Sequence, residues 1–116
     1  MSAITIYHNP RCSKSRQTLA LLQEYGVQPN IVLYLETPPS ASDIAGLLNK
    51  LDIPAAQLVR QGEDEYKSCG LTKSSSEKDI VAAMARHPKL IERPIVVRGN
   101  KAVLGRPPEK VLELID

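Results

Sequence analysis

ITIYHNPRCSKSRQTLALLQEYGVQPNIVLY, residues 4–34, decides how the chain folds. Ile4 to Tyr7 reads as a short strand. Past Cys12, Leu19, Leu22 and Tyr25 recur three apart, as on one helix face, and Gly26 stops the helix as glycine does beyond a C-terminus. Ile31 to Tyr34 is a continuous apolar run suited to a buried strand. Strand, helix and strand within about 30 residues make a βαβ unit, with parallel strands and a right-handed crossover.

Beyond this unit the middle of the chain reads as helical. Ser40 and Asp43 form a capping-box pattern, followed by Ile44, Leu47, Leu48 and Leu51 on one face. Pro54 suits the first turn of a short helix that carries Leu58 and Val59 towards Arg60. Residues 63–69 suit another, closed by Gly70. Ser76 and Asp79 repeat the capping pattern before Ile80, Val81 and Met84, and Pro88 ends that helix. The last third changes period. Ile95 to Val97 and Ala102 to Leu104 flank a turn containing Gly99-Asn100, which is a hairpin. Pro107 and Pro108 then open an amphipathic helix with Val111, Leu112 and Ile115. The order is β-α-β, a helical insert over about 40–90, then β-β-α. We expect one α/β domain over 1–116 with a thioredoxin-like fold: a four-stranded mixed sheet, flanking helices and the insert between its halves. Pro94, at the entry of the third strand, is a candidate cis-proline.

Composition narrows the function. The chain has 116 residues, no tryptophan and no phenylalanine, so Leu, Ile, Val, Ala and Met, with a few tyrosines, must build the core. A net charge of +2, with both signs mixed along the chain, gives no basic stripe for nucleic acid. No run has the length of a membrane span and no signal segment opens the chain, so a cytoplasmic monomer that binds neither nucleic acid nor membrane is expected. Cys12 and Cys69 form no disulfide framework or metal pattern, and free thiols are the simpler reading.

Cys12 carries the chemistry. A thiolate is the nucleophile, and three local features favour it. The helix N-terminus offers unpaired N–H groups and the positive end of the macrodipole. Arg11, Lys14 and Arg16 add positive charge. His8, across the Asn9-Pro10 turn, is placed to donate to the sulfur. Asn9 and Ser15 can hydrogen-bond a thiolate or an anion in the loop, or can serve the turn and the cap. The competing reading is a small buried apolar residue that happens to start a helix. A dithiol C-x-x-C is absent because Ser15 stands in the second position. A phosphatase-type loop is absent because only three residues separate Cys12 from Arg16. A second thiol must come from Cys69, a soluble thiol or a partner protein. Cys69 suits a half-buried thiol better than a resolving one, and His87 suits a helix C-terminus.

HNPRCSKSR, VLYLETPPS, LVRQGE, ERPIVV and LGRPPE resemble, in the same order, blocks of the glutaredoxin-linked arsenate reductase family (ArsC type). The resemblance covers essentially the whole chain. It implies a thioredoxin-like oxidoreductase with Cys12 as the nucleophile that attacks arsenate. His8 and Ser15 would stabilise its thiolate, and Arg60, Arg93 and Arg106 would hold the oxyanion. It further implies glutathione as co-substrate, glutaredoxin as the partner that restores the enzyme, and no metal or bound cofactor. The residues agree: guanidinium groups are planar, permanently charged donors suited to a tetrahedral dianion. Two alternatives stay open. A glutathione-linked enzyme for another oxyanion or a mixed disulfide would use the basic Arg11 and Lys14 beside the cysteine. A regulator of the Spx type, binding RNA polymerase, would share the fold, but such proteins usually carry the C-x-x-C that Ser15 breaks.

Overall fold

The structure is a computed structural model that describes residues 3–115. It divides into two compact units, one built from residues up to Thr37 and from Arg93 onward, the other from Pro38–Glu92.

The first unit contains strands β1 (Ile4–Tyr7), β2 (Asn30–Val32), β3 (Ile95–Arg98) and β4 (Lys101–Leu104), helix α1 (Ser13–Glu24) and a closing 3-10 helix (Pro108–Leu114). The strands form one sheet in the order β2-β1-β3-β4. β1 runs parallel to β2, with Ile6 opposite Ile31, and antiparallel to β3, with Ile6 opposite Val96. β3 and β4 make the expected hairpin, whose Gly99 has φ +59°. This is the four-stranded mixed sheet read from the sequence. Alternation along β1 sends Ile4 and Ile6 into a core completed by Val96, Leu22 of α1, and Val111 and Leu114 of the 3-10 helix.

Three elements depart from their sequence reading. The buried stripe of α1 is Ser15, Thr18 and Leu22, whereas Tyr25 is 55% exposed. Two hydroxyl residues replace leucines on that face because both hydroxyls find partners inside. β2 is a three-residue edge strand with Ile31 48% exposed, not a buried run to Tyr34; Tyr34 is buried, but from a turn. The C-terminal helix is 3-10, so Pro108, Val111 and Leu114, three apart, form its buried side and Ile115 lies beyond it. The stop at Gly26 is as expected. Gly26 N–H donates to Gln23 O and Val27 N–H to Leu22 O, with Gly26 at φ +81°, which is the Schellman pattern.

The second unit holds α2 (Ala41–Leu51), α3 (Ala55–Leu58), α4 (Asp64–Ser68), α5 (Glu77–Arg86) and a 3-10 turn at Pro88–Leu90. Both arms of the Ser40/Asp43 capping box are made, at 3.0 and 3.2 Å. Ser76 Oγ accepts from the Asp79 N–H at 3.2 Å. Ile44, Leu47 and Leu48 of α2 and Ile80, Ala83 and Met84 of α5 are buried where those helices pack. Pro54 is the N-cap of α3, one position before its predicted place, and Glu77 Oε1 accepts the Ala55 N–H at 2.6 Å. No described helix is long and apolar enough to cross a membrane.

Gly105 follows β4 and sets how closely three segments of the first unit approach. A Cβ there would lie 2.6 Å from Thr18 Oγ1 and 2.8 Å from Pro94 Cγ. The Gly105 N–H donates to Pro94 O at 2.9 Å. The Arg93–Pro94 bond is cis, and so is Arg106–Pro107, which the sequence reading did not include. Gly46, inside α2, has nothing within 4 Å of the corresponding point. In urea unfolding, Gly105→Ala is therefore expected to destabilise by about 1–3 kcal/mol through overpacking. Gly46→Ala is expected to stabilise by about 0.5–1 kcal/mol through helix propensity.

Candidate active site

Residues 8–16 lead from β1 into α1. The His8 N–H donates to Val32 O at 2.9 Å, carrying the parallel ladder one residue past β1. Asn9 then turns the chain: its carbonyl accepts the Cys12 N–H and its Oδ1 accepts the Arg11 N–H, both at 3.0 Å. Cys12 is the N-cap of α1, with extended backbone, and its carbonyl accepts the Arg16 N–H at 3.0 Å. An N-cap side chain faces the N–H groups of the second and third helical residues. Here those residues are Lys14 and Ser15.

The sulfur is thus placed where charge on it is favoured. As a neutral thiol, Cys12 is a weak acceptor and makes no cap hydrogen bond. Burial pushes its pKa up, but the Ser15 N–H, the positive charge of Arg93, the Lys14 N–H and a hydrogen bond from the Arg93 side chain outweigh that, and the pKa falls below the ordinary thiol range. This differs from the sequence reading in its agents. Arg11, Lys14 and Arg16 were expected to act through their side chains. Lys14 acts through its backbone, Arg16 Nη1 donates to Pro10 O at 3.0 Å, and the guanidinium at the sulfur comes from Arg93.

His8 and Ser15 form a buried pair, His8 5% exposed and Ser15 fully enclosed. His8 Nδ1 and Ser15 Oγ are 2.6 Å apart, and Ser15 Oγ accepts the Asn9 N–H at 3.0 Å. Burial first, and the Arg16 charge second, lower the His8 pKa, which favours the neutral imidazole. The expected hydrogen bond from His8 to sulfur is replaced by one with Ser15, which fixes the loop that presents the N–H groups.

Arg106 Nη1 donates to the Arg93 carbonyl at 3.2 Å, bringing two of the three predicted oxyanion ligands into one cluster. Arg60 belongs to the second unit, where its N–H donates to Leu90 O at 2.7 Å. Its guanidinium lies 3.6 Å from Glu63 and 3.9 Å from Glu92, two carboxylates absent from the sequence reading. Thr18 was also missed. It is fully buried, its Oγ1 donates to Lys14 O at 2.8 Å and lies 3.4 Å from Gly105 O. Its signal was a threonine in phase with Ser15 and Leu22. Cys69 is a free, half-buried thiol at the C-cap of α4. The described residues contain no group of three or more His, Cys, Asp or Glu able to hold a metal ion.

The ArsC family model matches residues 7–114. The chain belongs to the ArsC family. Among its relatives, "Uncharacterized protein YfgD" of Escherichia coli (strain K12) is 56% identical, over 97% of this chain and 96% of that one. A Haemophilus influenzae protein named arsenate reductase is 46% identical, over 97% of this chain and 99% of its own. The solved structure of an arsenate reductase from Vibrio cholerae superposes with a TM-score of 0.94 at 47% identity, covering 98% of each chain. The thioredoxin-like sheet is thus shared with ArsC proteins of known structure.

The balance at Cys12 has a direct readout. In a Cys69→Ser background, the iodoacetamide alkylation rate against pH is expected to have its midpoint below the ordinary thiol value of about 8.5. Arg93→Met is expected to move that midpoint upward. The sign follows from a depressed folded-state pKa: the thiolate's stabilisation is present above the unfolded value and is lost as pH falls through the folded one.

Proposed function

We propose that this ArsC-family chain is a monothiol arsenate reductase that depends on glutathione and glutaredoxin. The observation that carries the reading is the Cys12 sulfur at a helix N-terminus, with the Ser15 and Lys14 N–H groups and the Arg93 guanidinium favouring its thiolate. The names of relatives at 45–46% identity add support.

In this scheme the Cys12 thiolate attacks arsenic, a sulfur–arsenic bond forms and one oxygen leaves as water. Glutathione attacks the adduct. As(V) takes up two electrons, arsenite departs, and Cys12 and glutathione are joined as a mixed disulfide. A glutaredoxin thiol removes the glutathione and returns Cys12 to its thiolate. Arg93 and Arg106 hold the oxyanion and offset charge on its oxygens as the adduct forms. Arg60 is assigned an oxyanion-binding role on the family resemblance of its LVRQGE block alone. His8 and Ser15 keep the loop in its anion-ready shape. No bound cofactor enters the scheme. A supply of reduced glutathione and glutaredoxin places the work in the cytoplasm, and we assign it to a monomer.

The test is arsenate-dependent NADPH consumption coupled through glutaredoxin, glutathione and glutathione reductase. Wild type is expected to turn over and Cys12→Ser to be inactive. Arg60→Lys, Arg93→Lys and Arg106→Lys are each expected to lower kcat/KM, by about 100-fold where a transition-state contact is lost. A folded wild type with a low-pKa Cys12 and no turnover would exclude arsenate and leave another oxyanion or a mixed disulfide as substrate.

A further inference from the structure

We propose that the cavity beside the Cys12 loop seats the α-amino-acid end of the small thiol co-substrate. The proposal rests on the thiol-dependent reading above and adds where, and by which groups, that thiol is recognised.

The cavity measures about 420 Å³. Asn9, Pro10 and Arg11 form one wall, and Leu33, Leu35 and Glu36 form the other. Both walls are hydrogen-bonded turns. Asn9 Oδ1 accepts the Arg11 N–H at 3.0 Å, and Leu33 O accepts the N–H groups of Glu36 and Thr37, both at 2.9 Å. The His8 N–H to Val32 O bond ties the walls together at their base. The site is therefore held in shape before any ligand arrives.

Its charges are complementary and unused. Arg11 and Glu36 line one cavity, yet among the described residues neither is ion-paired with the other or with any other group. Opposite charges that line one cavity without pairing with each other are both available to a group carrying a carboxylate and an ammonium. An α-amino acid is that group. Its carboxylate suits the Arg11 guanidinium, its ammonium suits Glu36, and Pro10, Leu33 and the 41%-exposed Leu35 offer apolar contact to its methylenes. Arg11 immediately precedes Cys12, whose N–H donates to the carbonyl of the cavity residue Asn9, so the cavity is lined by the loop that carries the nucleophile. A γ-glutamyl thiol fits this demand, because its linkage leaves the α-carboxylate and α-ammonium free. An internal peptide segment of a partner protein has neither.

The full chain is titrated calorimetrically with S-methylglutathione and two analogues, one lacking the α-amino group and one lacking the α-carboxylate. With wild type, each deletion is expected to weaken binding about two- to fivefold, the range of an exposed ion pair. Arg11→Met is expected to bind the intact ligand more weakly and to lose its response to carboxylate deletion. Glu36→Gln is expected to lose its response to amino deletion. Both side chains are exposed, and unchanged thermal melts check the fold. Absence of S-methylglutathione binding to wild type, variants that leave affinity unchanged, or variants that weaken all three ligands equally would each overturn the proposal. S-methylglutathione cannot react, so binding is read without arsenate. The full variant pattern in a protein without arsenate turnover would uphold the cavity and sink the arsenate reading alone.

Discussion

The bare Cα of Gly105 lets α1, the cis turn at Pro94 and the cis turn at Arg106–Pro107 meet at a distance no side chain would permit. Thr18 presses on Gly105 from α1, and Pro94 presses on it from the entry of β3. The segments joined there carry the candidate site residues: Cys12 caps α1, Arg93 precedes Pro94 and Arg106 follows Gly105. Gly105 N–H to Pro94 O, Arg106 Nη1 to Arg93 O and Thr18 Oγ1 to Lys14 O are bonds made around that contact. Packing around Gly105 thus fixes the backbone from which Arg93 reaches the Cys12 sulfur.

Burial and charge oppose each other at Cys12, and the outcome is decided by several small contributions. A thiol only 9% exposed would ordinarily stay protonated, because transferring its charge out of water is unfavourable. Two backbone N–H groups and one guanidinium more than offset that cost and lower the pKa. The N–H groups are fixed by the helix and cost no reorganisation when charge develops. The guanidinium comes from a separate turn and is permanently charged. The same donors that favour a thiolate are of the kind that suits an oxyanion, so the proposed reaction would draw on one set of groups for nucleophile and substrate. A neutral His8 fits this arrangement. A second buried cation is not required, and the imidazole instead braces Ser15 and Asn9.

Elements whose signal is local were legible in the sequence. The Ser40/Asp43 box, the Gly26 stop and the Gly99-Asn100 hairpin are each determined within a few residues, and each is found where expected. Elements decided by tertiary position were not. Nothing in Ile31–Tyr34 tells that β2 lies at the sheet edge, and nothing in residues 108–115 tells that the buried side repeats every three residues. In α1 the apolar pattern selected Tyr25, whereas the packed face runs through Ser15 and Thr18, because a hydroxyl with an internal partner buries as readily as a leucine. The same division holds at the site. Cys12 and its helix N-terminus are local and were found. The positive charge facing the sulfur comes from Arg93, which proximity in sequence concealed behind Arg11 and Arg16.

Sulfur at the N-cap of α1 is a poor choice for stability and a good one for reactivity. Serine, threonine, aspartate or asparagine there would accept a helix N–H with a strong oxygen acceptor. A neutral thiol is a weak acceptor that leaves those donors underused, and a charged sulfur accepts from them more strongly. The start of the helix is then least satisfied in the protonated state and most satisfied in the nucleophilic one. The orphan N–H groups that every helix must place somewhere are thereby directed at the atom whose ionisation the chemistry needs. The first turn of α1 gives up local stability to that end, and the close packing of Thr18, Gly105 and Pro94 behind it holds the turn in place.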